Sequence, residues 1–330
     1  MTTRENFLRS IKHDSPEWVP RGDECVITVA PPGKERPFEE EGLDVWGVHW
    51  SYDPGMEGGT FPTPGRHPVR ELSLWKESVH FPDVETWEWD EPAKTVWGVD
   101  RDKFLVQGFV EMGLFERSYL LLGMEEALVA YLKDPDTMSE LTERIADYKI
   151  DVICKLHQSI NMDLLWYGDD WGTQSDMFLP PEIWRQVIGP HTERIYRTAK
   201  ELGILVNQHS CGFIEPVIPD IVEMGADVWN PCQPCNDLLS IKNRFKGRLT
   251  LWGGIDSQFV LGKPGVTTRE VEEEVEKRIY DLASGGGYIA APSHQIPYPK
   301  HIQQAMTEAI TRYGYEVYRD KSTQIFEGAL

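Results

Sequence analysis

From about residue 100 onward, short apolar runs alternate with segments of helical periodicity. Each run has the length of a buried β-strand, and the apolar residues of the segment after it recur every three or four positions. This alternation is typical of a parallel sheet whose strands are joined by right-handed helical crossovers. The sequence predicts strands at residues 25–29, 104–110, 163–168, 203–208, 226–230, 249–253 and 288–291.

These repeats predict a (β/α)₈ TIM barrel, an α/β fold, formed by residues 1–330 as a single domain. Residues 100–330 supply about seven regular units, and the strand at 25–29 counts as the eighth. Residues 1–99 are an irregular N-terminal segment with this first strand and long loops, which we expect to cover the barrel mouth. A doubly wound open sheet is the alternative, but no Gly-x-Gly-x-x-Gly follows a predicted strand.

Composition and charge exclude several classes of partner. The net charge of -21 and the pI of about 4.8 disfavour binding to nucleic acids and anionic membranes, whose phosphates need a basic surface. No apolar run approaches the ~20 residues of a membrane-spanning helix, and the chain opens into an amphipathic pattern without a signal peptide. We therefore expect a cytoplasmic protein with no membrane partner, and we allow for a homodimer. The five cysteines are few and odd in number, so reduced or metal-bound thiols are expected.

Polar side chains follow five successive predicted strands, at the point where each strand ends. In a barrel, the carboxyl ends of the strands surround one mouth, and catalytic groups lie there. We therefore expect these side chains to share one space, although any one of them alone is also typical of a helix cap or turn. The candidates are Asp170 and Asp256 as catalytic acids, Gln174 and Asn230 as substrate-binding amides, and His209, Cys211 and His294 as metal ligands.

His209 and Cys211 are separated by one residue and directly follow a predicted strand. Imidazole and thiolate both bind Zn²⁺, and one turn can present both groups to the same ion. The alternative is a core histidine beside an inert buried cysteine. Cys232 and Cys235 form a single Cys-x-x-Cys motif, which we interpret as two ordinary loop thiols with Cys232 as a reserve ligand.

Four longer motifs spread over the repeats point to one family. They are Gly168-Asp169-Asp170-Trp171-Gly172-Thr173-Gln174, His209-Ser210-Cys211-Gly212, Gly253-Gly254-Ile255-Asp256-Ser257-Gln258 and Gly285-Gly286-Gly287-Tyr288-Ile289. With them, the chain resembles the uroporphyrinogen decarboxylase superfamily, which is built on a (β/α)₈ barrel, and within it the corrinoid-dependent methyltransferases that include O-demethylases. The decarboxylases carry an Arg-Gln-Ala-Gly-Arg stretch for substrate carboxylates. It is missing here between Arg21 and Arg36, which favours methyl transfer.

The resemblance implies an enzyme that moves a methyl group from a small O- or N-methylated substrate to the Co(I) corrinoid of a partner protein. It implies Zn²⁺ held by His209 and Cys211. His294 is expected as the third ligand, because it stands where the thiol methyltransferases of this branch have a distant cysteine. Asp170 or Asp256 would orient a ligating histidine or protonate the leaving group.

Three of the 12 tryptophans are candidates for an apolar wall that would favour an aromatic methoxy substrate. They are Trp46, Trp50 and Trp171. Two other functions stay open from the sequence. One is decarboxylation of a small acid, with Asp170 and His294 as proton-transfer groups. The other is a barrel that binds a ligand or a corrinoid protein without turnover.

Overall fold

Seven parallel strands form the main sheet in the computed structural model, which describes residues 1–55, 59–294 and 297–327. Each of these strands pairs with the next one along the chain, so the connections between them pass over the outside of the sheet. The main sheet contains β1 (Val26–Val29), β5 (Leu105–Val110), β6 (Leu164–Gly168), β7 (Leu205–His209), β8 (Val228–Asn230), β9 (Thr250–Ile255) and β10 (Tyr288–Pro292). A small antiparallel sheet contains β2 (Gly42–Leu43), β3 (His49–Tyr52) and β4 (Thr60–Pro62).

Twelve α-helices lie within the described residues, and none of them combines the length and the apolar character needed to cross a membrane. A single π-helical turn joins the seventh helix to the eighth. The helices are α1 (Thr3–Ile11), α2 (Trp75–Ser78), α3 (Asp90–Val96), α4 (Leu114–Leu122), α5 (Met124–Lys133), α6 (Pro135–Ile160), α7 (Pro181–Ile183), α8 (Gly189–Glu201), α9 (Ile218–Met224), α10 (Leu238–Arg244), α11 (Thr268–Leu282) and α12 (Lys300–Glu327).

The two edges of the main sheet meet through the segment that precedes β1. The amide of Ala290 in β10 donates to the carbonyl of Pro20 (2.9 Å), and the amide of Gly22 donates back to the carbonyl of Ala290 (3.1 Å). A turn then separates this pairing from β1, because the amide of Glu24 donates to the carbonyl of Arg21. The predicted α/β barrel-like fold is confirmed: the main sheet contains the seven strands that the sequence located, and the eighth strand expected for a (β/α)₈ barrel is not among the described strands of this sheet.

Helix α1 closes the amino-terminal end of the curled sheet. Phe7 and Ile11 pack in a cluster with buried apolar side chains of five strands, among them Leu105 and Leu164, and the Phe7 ring meets Trp252 edge-on. Full burial of a side chain of this size stabilises the fold by roughly 1.5–3 kcal/mol. Because this end is filled with hydrocarbon, functional polar groups are left to the carboxyl ends of the strands.

A buried cluster of charges attaches the N-terminal segment to the barrel helices. The guanidinium of Arg117 in α4 is fully buried and donates to Asp44 (2.7 Å) and Glu35 (2.5 Å). Lys149 in α6 donates to the second oxygen of Glu35 (2.8 Å). Burial alone would raise the pKa of Glu35, but the charges of Lys149 and Arg117 outweigh it and hold this pKa below its usual value. The segment is therefore held by charge-assisted hydrogen bonds as well as by packing.

The structure places Trp46 and Trp50 in this cluster, and not in the apolar wall beside a substrate for which the sequence made them candidates. Each is only 3% exposed. The indole N–H of Trp46 donates to Glu35 and that of Trp50 to Asp44, both at 3.2 Å. Their N–H groups satisfy buried carboxylates, so these two rings stabilise the fold and do not line a substrate cavity in the described part of the chain.

We expect Arg117→Leu to reduce the free energy of unfolding by about 3–5 kcal/mol, because it leaves buried Asp44 without its cation and buried Glu35 with Lys149 alone. Urea unfolding followed by circular dichroism measures this change. Arg269→Leu is the matched control, since Arg269 forms a fully exposed pair with Glu273, and it should leave the unfolding midpoint unchanged. Equal shifts for the two variants would contradict the assigned role of the cluster.

Candidate active site

Three side chains with metal-ligating atoms converge where β6 and β7 end. They are Asp170, His209 and Cys211, and one ligand atom from each lies within 4.8 Å of the other two. The Sγ of Cys211 is 3.5 Å from the Nε2 of His209, and that nitrogen is 3.6 Å from Oδ1 of Asp170. His209 and Asp170 keep 21% and 34% of their side-chain surface exposed, so the group is accessible from the barrel mouth.

Backbone hydrogen bonds hold the loop that carries Cys211. The amide of Cys211 donates to Oδ1 of Asp170 (2.8 Å), and the amide of Gly212 donates to the side-chain oxygen of Gln233. Gly212 has a φ of +80°, and a Cβ at this position would lie 2.3 Å from the backbone of Gly172. Only glycine fits this close approach. The backbone of the loop is therefore closely constrained on both sides of Cys211.

Hydrogen bonds also determine which nitrogen of His209 is free. Its Nδ1 lies 2.6 Å from Oδ1 of Asn230, and the indole N–H of Trp166 donates to the same oxygen (3.2 Å). Because the indole is only a donor, the Asn230 atom must be the amide oxygen, and Nδ1 of His209 must carry the proton. The lone pair is then on Nε2, the nitrogen that faces Cys211 and Asp170.

The surroundings of Cys211 are hydrophobic and acidic. Burial, reinforced by the negative charge of Asp170, raises the pKa of the Cys211 thiol far above its usual value. Burial and the charges of Asp170 and Asp169 likewise raise the pKa of Glu116, a residue of α4, which favours its protonated form. A cation bound by this group would lower the pKa of the Cys211 thiol, since it stabilises the thiolate directly.

Two of the three separations between ligand atoms fit a tetrahedral metal ion such as Zn²⁺, and the third lies within 4.8 Å. An ion bound at ~2.0 Å by nitrogen or oxygen and ~2.3 Å by sulfur separates neighbouring ligand atoms by roughly 3.3–3.5 Å. The two separations in the structure, 3.5 Å and 3.6 Å, are close to this value. Three protein ligands leave one position of the tetrahedron for a substrate, as in catalytic zinc sites.

His294 lies outside this group, on the far side of Gln233. Its Nε2 is 2.6 Å from the side-chain nitrogen of Gln233, and it lines a separate cavity of about 120 Å³ with Gln174 and Asp256. Asp256 accepts from the amides of Gln258 and Phe259 (3.0 and 2.8 Å), so it caps the turn that follows β9. The predicted ligands His209 and Cys211 therefore have Asp170 beside them as the third potential ligand, in place of His294.

Two other predicted residues lie in the packed interior. Trp171 is 1% exposed and meets Trp184 edge-on at 4.9 Å, so it belongs to the core beneath the mouth. The reserve ligand Cys232 is fully buried among apolar side chains. Neither is available to a substrate or to the group at His209. Asn230, predicted to bind substrate, directly contacts His209.

Two residues of the site, Trp166 and Glu116, were not among the candidates predicted from the sequence. The Trp166 ring lies tilted against the ring of His209, with centroids 4.4 Å apart, and it stacks on Phe109 at 4.2 Å. Trp166 lies two residues before the end of a predicted strand, so the alternation of strand side chains indicates that it faces the barrel interior. Glu116 follows β5, the one strand in this part of the chain whose end was not included among the candidates.

The family and a solved structure agree with this architecture. Residues 100–313 match the sequence model of the uroporphyrinogen decarboxylase (URO-D) family. The chain belongs to this family. A methyltransferase from Methanosarcina mazei has the same fold, with a TM-score of 0.72 at 16% sequence identity, and the match covers 95% of this chain and 99% of that chain. At this identity, the likeness of the URO-D family member to that enzyme concerns the fold alone.

More distant comparisons add no functional information. A structure from a study of the pneumococcal virulence factor StrH matches with a TM-score of 0.40 at 12% identity, over 96% of this chain and 81% of that chain. A search of curated proteins found no match.

We expect ¹⁵N NMR of the histidine-labelled protein to show His209 with its proton on Nδ1. Asn230→Leu removes the acceptor and should mix the two tautomers. Asn243→Leu, on the exposed face of α10, is the control and should leave the His209 signals unchanged. A proton on Nε2 in the unmodified protein would contradict the assignment.

Proposed function

We propose that this URO-D family member is a zinc-dependent methyltransferase of the corrinoid-dependent, O-demethylase type. Its methyl donor is a small O- or N-methylated compound, and its acceptor is the Co(I) corrinoid of a partner protein. The observation that carries the proposal is the convergence of Asp170, His209 and Cys211 with separations suited to one tetrahedral ion. The Methanosarcina mazei structure of the same fold, described as a methyltransferase, supports it.

The chemistry explains why a cation is needed. Methyl ethers and quaternary amines have poor leaving groups. When bound, Zn²⁺ would supply a Lewis acid that stabilises the negative charge on the departing oxygen of an ether, whereas a quaternary amine departs as a neutral amine. In the overall reaction, the carbon–oxygen or carbon–nitrogen bond breaks and a carbon–cobalt bond forms. Co(I) provides the electron pair and becomes methyl-Co(III). An ether oxygen keeps its bonding pair and takes up a proton, which yields an alcohol or phenol.

The side chains of the group have separate tasks. Asn230 holds His209 in the tautomer whose Nε2 faces the site, and it does so as a neutral acceptor. Asp170 fixes the Cys211 loop through the Cys211 amide and contributes a carboxylate oxygen. Cys211 binds a metal as the thiolate, so its proton must leave when the ion enters. Glu116 lies next to Asp170 and can hold the proton that the departing group requires.

The ligand set predicts which variants lose zinc. Asp170→Asn keeps the shape and the amide contact of Asp170 but removes its charge. It should lower zinc affinity by more than the ~10–100-fold typical of losing a group that orients a ligand. His294→Gln should keep full zinc content, because His294 bonds Gln233 outside the group. Elemental analysis and competition with a chromophoric chelator measure both variants. Zinc lost from His294→Gln and retained in Asp170→Asn would overturn this ligand set.

Methyl transfer provides the second test. With 2-methoxyphenol as donor and free cob(I)alamin as acceptor, His209→Ala and Cys211→Ala should each lower the rate roughly 100-fold or more, since a Lewis acid supplies several kcal/mol. Cys154→Ala is the matched control, because Cys154 lies on α6 away from the strand ends, and its rate should be unchanged. Zinc-free protein with full activity would refute the proposed function.

A further inference from the structure

A cavity lies between β1 and β10, the two edge strands of the main sheet, and we call it the seam cavity. Its volume is about 530 Å³, within the range of small-molecule sites. The two edges are linked here by the isolated bridge of Arg21 and Ala290, and α12 forms the outer wall through Met306 and Thr307. The gap between the edge strands therefore leaves room for a ligand.

The seam cavity is separate from the candidate metal group. Trp166 and Asn230 form the wall between them, since both line the cavity and both contact His209. The described lining does not include His209 or the other two members of the group. A molecule in the cavity therefore cannot meet an ion held by His209, and it is not the methyl donor of the proposed reaction.

The lining offers hydrogen-bond donors that no described residue accepts. The Oδ1 of Asn230 already takes part in two hydrogen bonds, which leaves its NH₂ group as the free end of the amide. The indole N–H of Trp252 and the hydroxyl hydrogen of Thr28 also lack an acceptor in the described part of the chain, while the Thr28 oxygen accepts from Gln107 (3.1 Å). Such a lining favours a ligand that contributes acceptors.

Arg21 adds a positive charge to these donors. Its Nε pairs with Asp23 at 3.1 Å, but 81% of the Asp23 side chain is exposed, so water weakens this pair. The two terminal nitrogens of the Arg21 guanidinium donate to no described residue, and they form the fork that binds a carboxylate through two parallel hydrogen bonds. Arg21 is the one cation in the described lining, so the lining favours an anion.

These donors are close to one another. The pairing of β8 with β9 puts Asn230 and Trp252 at neighbouring positions of the two strands. A Cβ at Gly22 would lie 2.4 Å from Nε1 of Trp252, so this nitrogen lies against the backbone next to Arg21. The rest of the lining includes aliphatic side chains of β10 and α12, which suit a hydrocarbon chain. They are Ala290, Ala291, Pro292, Met306 and Ile310.

We propose that the seam cavity binds a small aliphatic carboxylate, and that this anion is an effector of the metal group. Its carboxylate accepts from Arg21, Trp252 and Asn230, and its hydrocarbon chain lies against β10 and α12. An anion bound to the NH₂ group of Asn230 holds Oδ1 toward Nδ1 of His209, which keeps Nε2 free for a metal. The effector role rests on the proposed function, whereas the binding site rests on the cavity and its donors.

The location is tested by calorimetry with hexanoate on the chelator-treated protein. Arg21→Gln should weaken binding at least ~10-fold, because it removes a charge-assisted pair of hydrogen bonds. Arg9→Gln is the matched control and should bind normally, since Arg9 forms an ion pair of the same length, 3.1 Å, with a similar side-chain exposure, 38% against 33%. Thr307→Trp narrows the cavity from α12 and should also weaken binding. Full-strength binding in either Arg21→Gln or Thr307→Trp would overturn the location.

The ligand class is tested with four probes of one chain length, which are hexanoate, hexanamide, hexan-1-ol and hexylammonium. Hexanoate should bind most tightly, because it alone combines a negative charge with a head group that only accepts hydrogen bonds. Hexylammonium should bind most weakly, since Arg21 repels it. Binding of any other probe as tight as that of hexanoate would contradict the assigned class.

The effector role is tested by competition for zinc with a chromophoric chelator, with and without saturating hexanoate. Hexanoate should raise zinc affinity at least ~5-fold, and zinc should raise hexanoate affinity by the same factor, because coupling between two sites is reciprocal. At the same hexanoate concentration, Arg21→Gln should lose this gain. A gain that persists in Arg21→Gln would show that hexanoate binds the ion directly, and it would refute the effector role.

The outcomes separate this proposal from the proposed function. Hexanoate binding that Arg21→Gln removes, in a protein that binds no zinc, would support the seam site and refute the proposed function. Zinc-dependent methyl transfer in a protein that binds no hexanoate would do the reverse. Hexanoate binding that leaves zinc affinity unchanged would refute the effector role alone.

Discussion

The register of three neighbouring strand ends determines the chemistry of this protein. Gly168, His209 and Asn230 occupy equivalent positions of β6, β7 and β8 and are direct partners in the sheet. The pairing places Asn230 beside His209, and a shift of one residue would turn the imidazole out of the barrel toward the helices. Gly168 completes the arrangement. A Cβ there would lie 2.5 Å from the Trp166 ring, so only glycine leaves room for that ring to reach both neighbours.

Charged and neutral groups serve different purposes in the molecule. The charged cluster of Arg117, Glu35 and Asp44 lies in the interior, where it fastens the N-terminal segment to the barrel helices. The loops around His209 are held instead by side-chain amides, chiefly Gln233 and Asn236, which bond to the backbone between Gly212 and Glu215. Neutral amides fix these parts of the loops without adding charge near a cation, so the charge around the site comes from Asp170 and from the neighbouring acidic residues Asp169 and Glu116.

The sequence was sufficient for local features and insufficient for contacts between distant segments. Strand positions followed from short apolar runs, and His209 with Cys211 followed from a spacing of two residues after a strand. Trp46 was misplaced because its partners other than Glu35, which are Phe81, Arg117 and Tyr148, lie about 35 to 100 residues further along the chain. His294 was expected at the metal from its position after the last strand. That a residue follows a strand does not show how far it lies from residues elsewhere in the barrel mouth. Here Gln233 lies between His294 and the group at His209.

Trp166 connects the two proposed sites. Its ring lines a cavity of about 530 Å³ between β1 and β10 and lies tilted against the ring of His209, while its indole N–H donates to the side-chain oxygen of Asn230. A ligand cannot displace this ring without also disturbing the amide oxygen that selects the His209 tautomer. The ring itself sits on a buried strand, against Phe109 of the neighbouring strand. The wall of the cavity and the geometry of the metal ligand thus depend on one rigid side chain, which is the condition for a preorganised site. A flexible loop in its place would leave the imidazole free to rotate as the cavity fills.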